Sequence, residues 1–446
     1  MIFSSYSHGI TAFPRFIDAK KRNACVSPQA QLGFSMSIPS TQSVPRLHYG
    51  WIIVLTGSLV LFSCFGLARY AYTMLLPAMQ QSLHLTYDQA GYIGTANFVG
   101  YLVSVILAPL ALRRVPPRWC IAAALLLISL ALIGISRCNS FLPILGLYFL
   151  AGIGGGFANI PIMMLTTYWF HRSHRGRALG LVIGGNGAGI VLAGLLIPRL
   201  NQSLGAMGWR MSWLVLGLIC LLVAGLAALL LRNSPQEKGL QPIGSLESCT
   251  PTQFISQDGK QDGAVLARLG LIYLTFGATF MIYGTFIVTS MVREYGISEL
   301  VAGRYWSWVG ILSLGSGVLF GSLSDRIGRR WGLVLVLLVQ TTAYLLVGLQ
   351  LAGIWLMLSI MLYGLSVFAI PAIMTAAVAD YLGLARAASA FATVTLFFAA
   401  GQSCGPALAG ILARSSGSFS SAYLLAASCT LCGALLAVTL PRPSHA

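Results

Sequence analysis

The sequence predicts an all-α polytopic membrane protein, with twelve transmembrane helices arranged as two pseudo-symmetric six-helix bundles. Three observations predict it. The chain of 446 residues is 57% hydrophobic and 8% charged, with a mean hydropathy of +0.81, so it has too little polar surface to cover a soluble globule of its size. Apolar stretches long enough to cross a hydrocarbon core recur six times, pause at one polar stretch, and recur six times more. Short motifs in the first set return in order in the second.

Residues 1–48 lack the apolar core of a secretory signal, because Lys20-Lys21-Arg22 leads into polar sequence; they are expected to form a disordered cytoplasmic tail. The first bundle is expected over 49–232, with spans near 51–77, 88–110, 118–136, 141–169, 176–198 and 210–231. Between Arg232 and Ala267 the prolines 235, 242 and 251 and the absence of apolar periodicity mark a cytoplasmic linker, bounded at 233–266. The second bundle, 267–441, holds spans near 268–292, 301–323, 331–350, 352–379, 386–412 and 420–440. Residues 442–446 close the chain on the cytoplasmic side.

Orientation follows from the basic residues. With residue 1 inside, twenty of the 27 lysines and arginines fall in inside segments and six outside, and Arg69 lies within a span. Both termini are therefore expected in the cytoplasm of a cell whose inner membrane holds the protein. The net charge of +17 is then a topology signal, met by anionic lipid headgroups and not by nucleic acid.

The repeat is visible residue by residue. Phe65-Gly66 and Tyr72 match Phe276-Gly277 and Tyr283 at an offset of 211, and Ala90-Gly91 matches Ala302-Gly303 at 212. Ile160-Pro161 and Met164 match Ile370-Pro371 and Met374 at 210. Gly185-Asn186 with Gly189 and Gly194 matches Gly401-Gln402 with Gly405 and Gly410 at 216. Such duplicated halves place a substrate near the bilayer midplane between them.

The loop between the eighth and ninth spans reads Gly321-Ser-Leu-Ser-Asp325-Arg326-Ile-Gly328-Arg329-Arg330. It resembles the signature loop of the major facilitator superfamily. The resemblance implies two bundles that rock about a central cavity, with this loop steadying the outward-facing state. The first-half equivalent, Ala108 to Trp119, has no aspartate, so an asymmetric lock of Asp325, Arg329 and Asp380 is expected. Within the superfamily, Gly66-Leu-Ala-Arg-Tyr-Ala-Tyr72 followed by Leu75-Leu-Pro-Ala-Met79 resembles the first helix of the YbfB-like transporters. Gly401 to Gly410 resembles the Gly-x-x-x-Gly-Pro helix of drug exporters, but stands in the eleventh span and not the fifth.

Arg69 is the best functional clue. An arginine at a span's centre costs roughly 2.5–3.5 kcal/mol on insertion scales, so it should face a wet cavity or a partner. A substrate-binding cation is one reading, and snorkelling toward headgroups is the other. Tyr72 lies three residues on, on the same helical face, with Tyr283 as its repeat mate. Asn97, Asn159, Asn186 and Gln402 are the other strong polar groups in apolar spans, as substrate contacts or as interhelical glue. No carboxylate lies mid-span, so a coupling proton travels on the substrate's acid group or titrates Asp88 or Asp380 at a cavity mouth. His171 with His174 and Cys429 with Cys432 read as loop and packing residues, and no metal or other cofactor is expected. There is no phosphate-cradling lysine loop to suggest ATP hydrolysis.

The sequence thus predicts a monomeric secondary transporter, not an enzyme, that moves a small organic anion by alternating access. A proton-coupled efflux pump for amphipathic or toxic compounds and a transporter-like membrane sensor are the alternatives.

Overall fold

The first apolar span, Tyr49–Leu83, is 35 residues long and is not one uniform helix. Tyr49–Leu61 and Ala71–Leu83 are α-helical, whereas Phe62–Tyr70 between them winds as a π-helix. A computed structural model describes residues 48–244 and 259–441. The expected tail up to residue 47, the middle of the expected linker and residues 442–446 lie outside the described residues.

We label the spans in order. The first half comprises α1 (Tyr49–Leu83), α2 (Tyr87–Leu112), α3 (Pro117–Ile135), α4 (Phe141–Trp169), α5 (Arg172–Leu204) and α6 (Gly208–Leu230). The second half comprises α7 (Gly259–Arg293), α8 (Glu299–Ile327), α9 (Arg329–Gly348), α10 (Ile354–Leu382), α11 (Leu384–Ser416) and α12 (Ser420–Val438). Helices α5 and α6 form one apolar run of 57 residues from His174, which as a single helix would be about 85 Å long, nearly three times a hydrocarbon core. Gly205, at φ +54, breaks that run, and a 3₁₀ turn over Gly205–Met207 reverses it, giving twelve crossings.

In the expected linker Pro235–Lys238 forms a 3₁₀ turn, and Ile243 pairs with the end of α4, accepting from the N–H of His171 (2.8 Å) and donating to the carbonyl of Trp169 (3.0 Å). The unmet backbone groups past α4 thereby find partners. At the other side α7 is already helical at Gly259.

The halves meet along two helix pairs, α5 with α8 and α2 with α11, and the Ala71–Leu83 part of α1 also meets α7. Small residues permit this approach: a Cβ on Gly194 would lie 2.5 Å from the carbonyl oxygen of Gly303. At the same end Arg414 pairs with Asp88 (2.8 Å), and the Asn201 amide donates to Glu299 (2.8 Å). These ties cluster at the ends of α2, α5, α8 and α11 that the charge pattern is expected to place outside.

Candidate functional site

Arg69 sits on the π-helical turn of α1, the kind of local widening found at functional sites. Directly before it, a Cβ on Gly66 would lie 2.6 Å from the Cα of Gly189, so α1 rests almost backbone to backbone on α5. The guanidinium is half-buried and leans into rings from two helices: Phe65 of α1 at 4.5 Å, and Phe98 and Tyr101 of α2, both at 4.8 Å. Cation–π attraction offsets part of the cost of leaving water.

A closed circuit of hydrogen bonds holds the residue through three helices. Arg69 Nε donates to Asn97 Oδ1 (3.1 Å), and Asn97 Nδ2 donates to the Tyr148 carbonyl (3.2 Å). Tyr148 Oη donates back to the Arg69 carbonyl (3.2 Å). Both the side chain and the backbone of Arg69 are thus positioned, and snorkelling does not describe this geometry.

The circuit supplies no carboxylate. Six carboxylates have side chains that the structure describes, and each is engaged elsewhere: Asp88 with Arg414, Glu299 with Asn201, and Asp325 and Asp380 with Arg329. Glu237 accepts from the Asn233 N–H, and Glu294 accepts from the Phe419 N–H. Among the described residues Arg69 has no anionic partner. It does have a surface on the other half, because its pocket is closed by Met281, Gly284 and Thr285 of α7. The Thr73 hydroxyl donates to the Gly284 carbonyl across that seam. In this conformation the pocket's free volume is about 10 Å³, room for about one water. The larger cavity, about 600 Å³, lies at the Glu299 end between Ala78, Asn201, Trp209 and Glu299, away from Arg69.

The structure sorts the other expected site residues. Tyr72 and Asn97 line the Arg69 pocket, although Tyr72 Oη donates to the Ala90 carbonyl (2.8 Å). Asn159 reaches the site through Tyr101, donating to its hydroxyl (3.2 Å). Asn186 and Gln402 are buried, and neither lines this pocket; Asn186 Oδ1 and both amide atoms of Gln402 have no protein partner. Tyr283 belongs to the core of the second half, bonded to Ser359 (2.8 Å) and stacked on Tyr363 at 4.3 Å. Sequence reasoning missed Phe98, Tyr101, Tyr148 and Thr73; only Phe65 carried a signal, through the repeat.

At the opposite end Arg329 bridges Asp325 and Asp380, its Nε 2.6 Å from Asp380, and also donates to Ser324 (3.3 Å). Gly328, at φ +89, makes the turn that places it there. Arg326 is exposed, Gly321 is uncrowded, and Arg330 donates to the Leu440 carbonyl (3.2 Å). The bridge ties α8, α9 and α10 within one half and does not cross the seam.

Twelve membrane-crossing helices in two repeated bundles, with a held cation where the bundles meet, define a facilitator-type multi-pass membrane protein. The chain belongs to the family described as "Uncharacterised MFS-type transporter YbfB", whose profile matches residues 61–438. It is 26% identical over 296 residues to "Probable hexose phosphate transport protein" of Chlamydia trachomatis, a match covering 59% of this chain and 62% of that protein. The chain thus spans about three-fifths of that relative's length. It is 22% identical over 402 residues to "Monocarboxylate transporter 2" of Homo sapiens, covering 84% and 83% of the two chains. Over 302 residues it is 22% identical to "Nitrate transporter 2.1" of Chlamydomonas reinhardtii, covering 64% and 52%. Among solved structures, a bacterial homologue of the human lysosomal transporter Spinster in an inward-facing, unoccupied conformation superposes with a TM-score of 0.67 at 17% identity, covering 87% and 95%. The nucleoside transporter NupG gives 0.67 at 13%, covering 88% and 98%. At these identities the structural likeness concerns the fold.

Proposed function

We propose that this protein carries a small organic anion across a cell's inner membrane by alternating access between its two halves, with both termini cytoplasmic and Arg69 pairing with the anion. The observation that carries the reading is a guanidinium held at the seam by an amide and three rings, without a carboxylate among the described residues. An anion arriving there would supply the missing countercharge, and the planar fork of arginine suits a carboxylate or phosphate. The names of three relatives support the same class, since hexose phosphates, nitrate and monocarboxylates are all anions.

Loading requires the seam around Arg69 to widen, because the pocket as it stands holds no organic molecule. The ties of Asp88 with Arg414 and of Asn201 with Glu299 hold the two halves together on the outer side of Arg69. A coupled proton would ride on the substrate's own acid group, since the described carboxylates sit at helix ends or in the linker.

The test is exchange of labelled carboxylates in proteoliposomes. Arg69→Ala and Arg69→Lys should each lower saturable flux by about tenfold or more, because lysine keeps the charge and loses the fork. Undiminished flux in a folded Arg69→Ala protein would overturn the proposal.

A further inference from the structure

The two halves offer the seam different chemistry at equivalent positions. Tyr148 Oη donates to the carbonyl of Arg69, and Tyr363 Oη donates to the carbonyl of Phe280 (2.9 Å). Residues 69 and 280 are 211 apart, the offset that relates Phe65 to Phe276 and Tyr72 to Tyr283. The supporting rings repeat as well: Tyr72, Tyr148 and Trp213 form one aromatic cluster, and Tyr283, Tyr363 and Tyr423 form the other. Phe280 therefore stands, under the pseudo-two-fold, where Arg69 stands in the first half.

Around Phe280 the second half builds a stack of rings. Phe398 of α11 lies nearly parallel to three rings of α7: Tyr273 at 4.7 Å, and Phe276 and Phe280 both at 5.6 Å, with interplanar angles of 19–25°. Phe276 and Phe280 are themselves stacked at 4.7 Å. The helices that carry the stack are the ones facing the arginine cage, since α7 closes the Arg69 pocket and α11 packs on α2. Tyr273, Phe276 and Phe280 are buried in this conformation and Phe398 is half-buried, so Phe398 is the accessible edge of the stack and Phe280 meets a substrate only when the seam widens.

We infer that the transported anion is an aromatic carboxylate, its acid group on Arg69 and its ring laid against Phe280 and Phe398. This rests on the proposed function and adds the class of the substrate's body. A planar ring extends a parallel stack and gains stacking energy that an alkyl chain of the same area lacks.

The experiment measures exchange of labelled propionate, phenylacetate and cyclohexylacetate in proteoliposomes of the full chain, for wild type, Phe280→Ala and Phe398→Leu. Wild type should prefer phenylacetate over cyclohexylacetate and propionate. Each variant should lower kcat/KM for phenylacetate about three- to tenfold while leaving propionate unchanged. Propionate flux also reports that the variants are folded, and Phe280→Leu replaces Phe280→Ala if that protein is lost. Equal handling of the ring and its saturated counterpart in wild type, or an unchanged phenylacetate-to-propionate ratio in folded variants, overturns the inference and leaves the anion reading standing. Absence of flux for all three acids in wild type overturns the inference as well, while exchange of a labelled hexose phosphate would leave the anion reading standing.

Discussion

Arg69 is positioned more tightly than a single buried charge requires. Its one side-chain hydrogen-bond acceptor of fixed geometry is Asn97, which in turn is fixed by the Tyr148 carbonyl. Asn97→Ala should leave the charge in place but free it to swing among the three rings, so KM for the anion should rise about three- to tenfold with little change in Tm. A KM equal to wild type would show that the rings alone set the guanidinium. Of this site the sequence exposed the cation and its nearby polar groups, because a charge or an amide in an apolar span has few inert explanations. The cage was illegible. Phe98 and Tyr101 read like any aromatic facing lipid or core, and only helix packing shows that they cover Arg69. Tyr283 was misleading for the same reason: its repeat relation to Tyr72 is real, but the equivalent of a pocket residue can lie in a core when the neighbouring chemistry has diverged.

Among the elements, α1 is the one whose irregularity matters. The π-helical turn and the Gly66–Gly189 contact sit together, so the segment bearing Arg69 is both wider than an α-helix and pressed against α5. A Val at position 66 would drive its side chain into the Gly189 backbone. Gly66→Val should therefore cost about 1–3 kcal/mol, read as a lower Tm in detergent, and should impair flux even in the fraction that folds. A Tm equal to wild type would mean that α1 and α5 separate freely. The span boundaries were read to within a few residues for most helices, because hydropathy reports the membrane directly. The π turn was not, since hydropathy and apolar periodicity do not distinguish i→i+5 from i→i+4 bonding. The docking of Ile243 on the end of α4 was not legible, because it is made by backbone hydrogen bonds, to which composition is blind.

For the whole molecule the informative tie is Asp88 with Arg414, because it joins the two halves. Arg414 is 65% exposed and Asp88 only 12%, so the pair is partly screened and is worth about 0.2–1 kcal/mol. Asp88→Asn should accordingly shift the population toward the outward-open form by about 1.5- to fivefold, seen as a longer component between spin labels at Gln202 and Ser298. An unchanged distribution would mean that the glycine contacts and the Asn201–Glu299 bond hold the outer face shut without the ion pair. By contrast, the Arg329 bridge lies within one half. Four motif matches were enough to read the duplication from the sequence, but not which charges cross the seam, since loop charges pair only after packing.

That Arg69 has no anionic partner among the described residues has a consequence for the direction in which the cycle can run. Under the proposed function a carrier loaded with a monoanion passes through its occluded state with the site electrically neutral, whereas an empty one must enclose an unbalanced positive charge in a medium of low dielectric. The unloaded return stroke is then the slow one. Such a machine resists slippage: it trades one anion for another across the membrane faster than it empties a compartment.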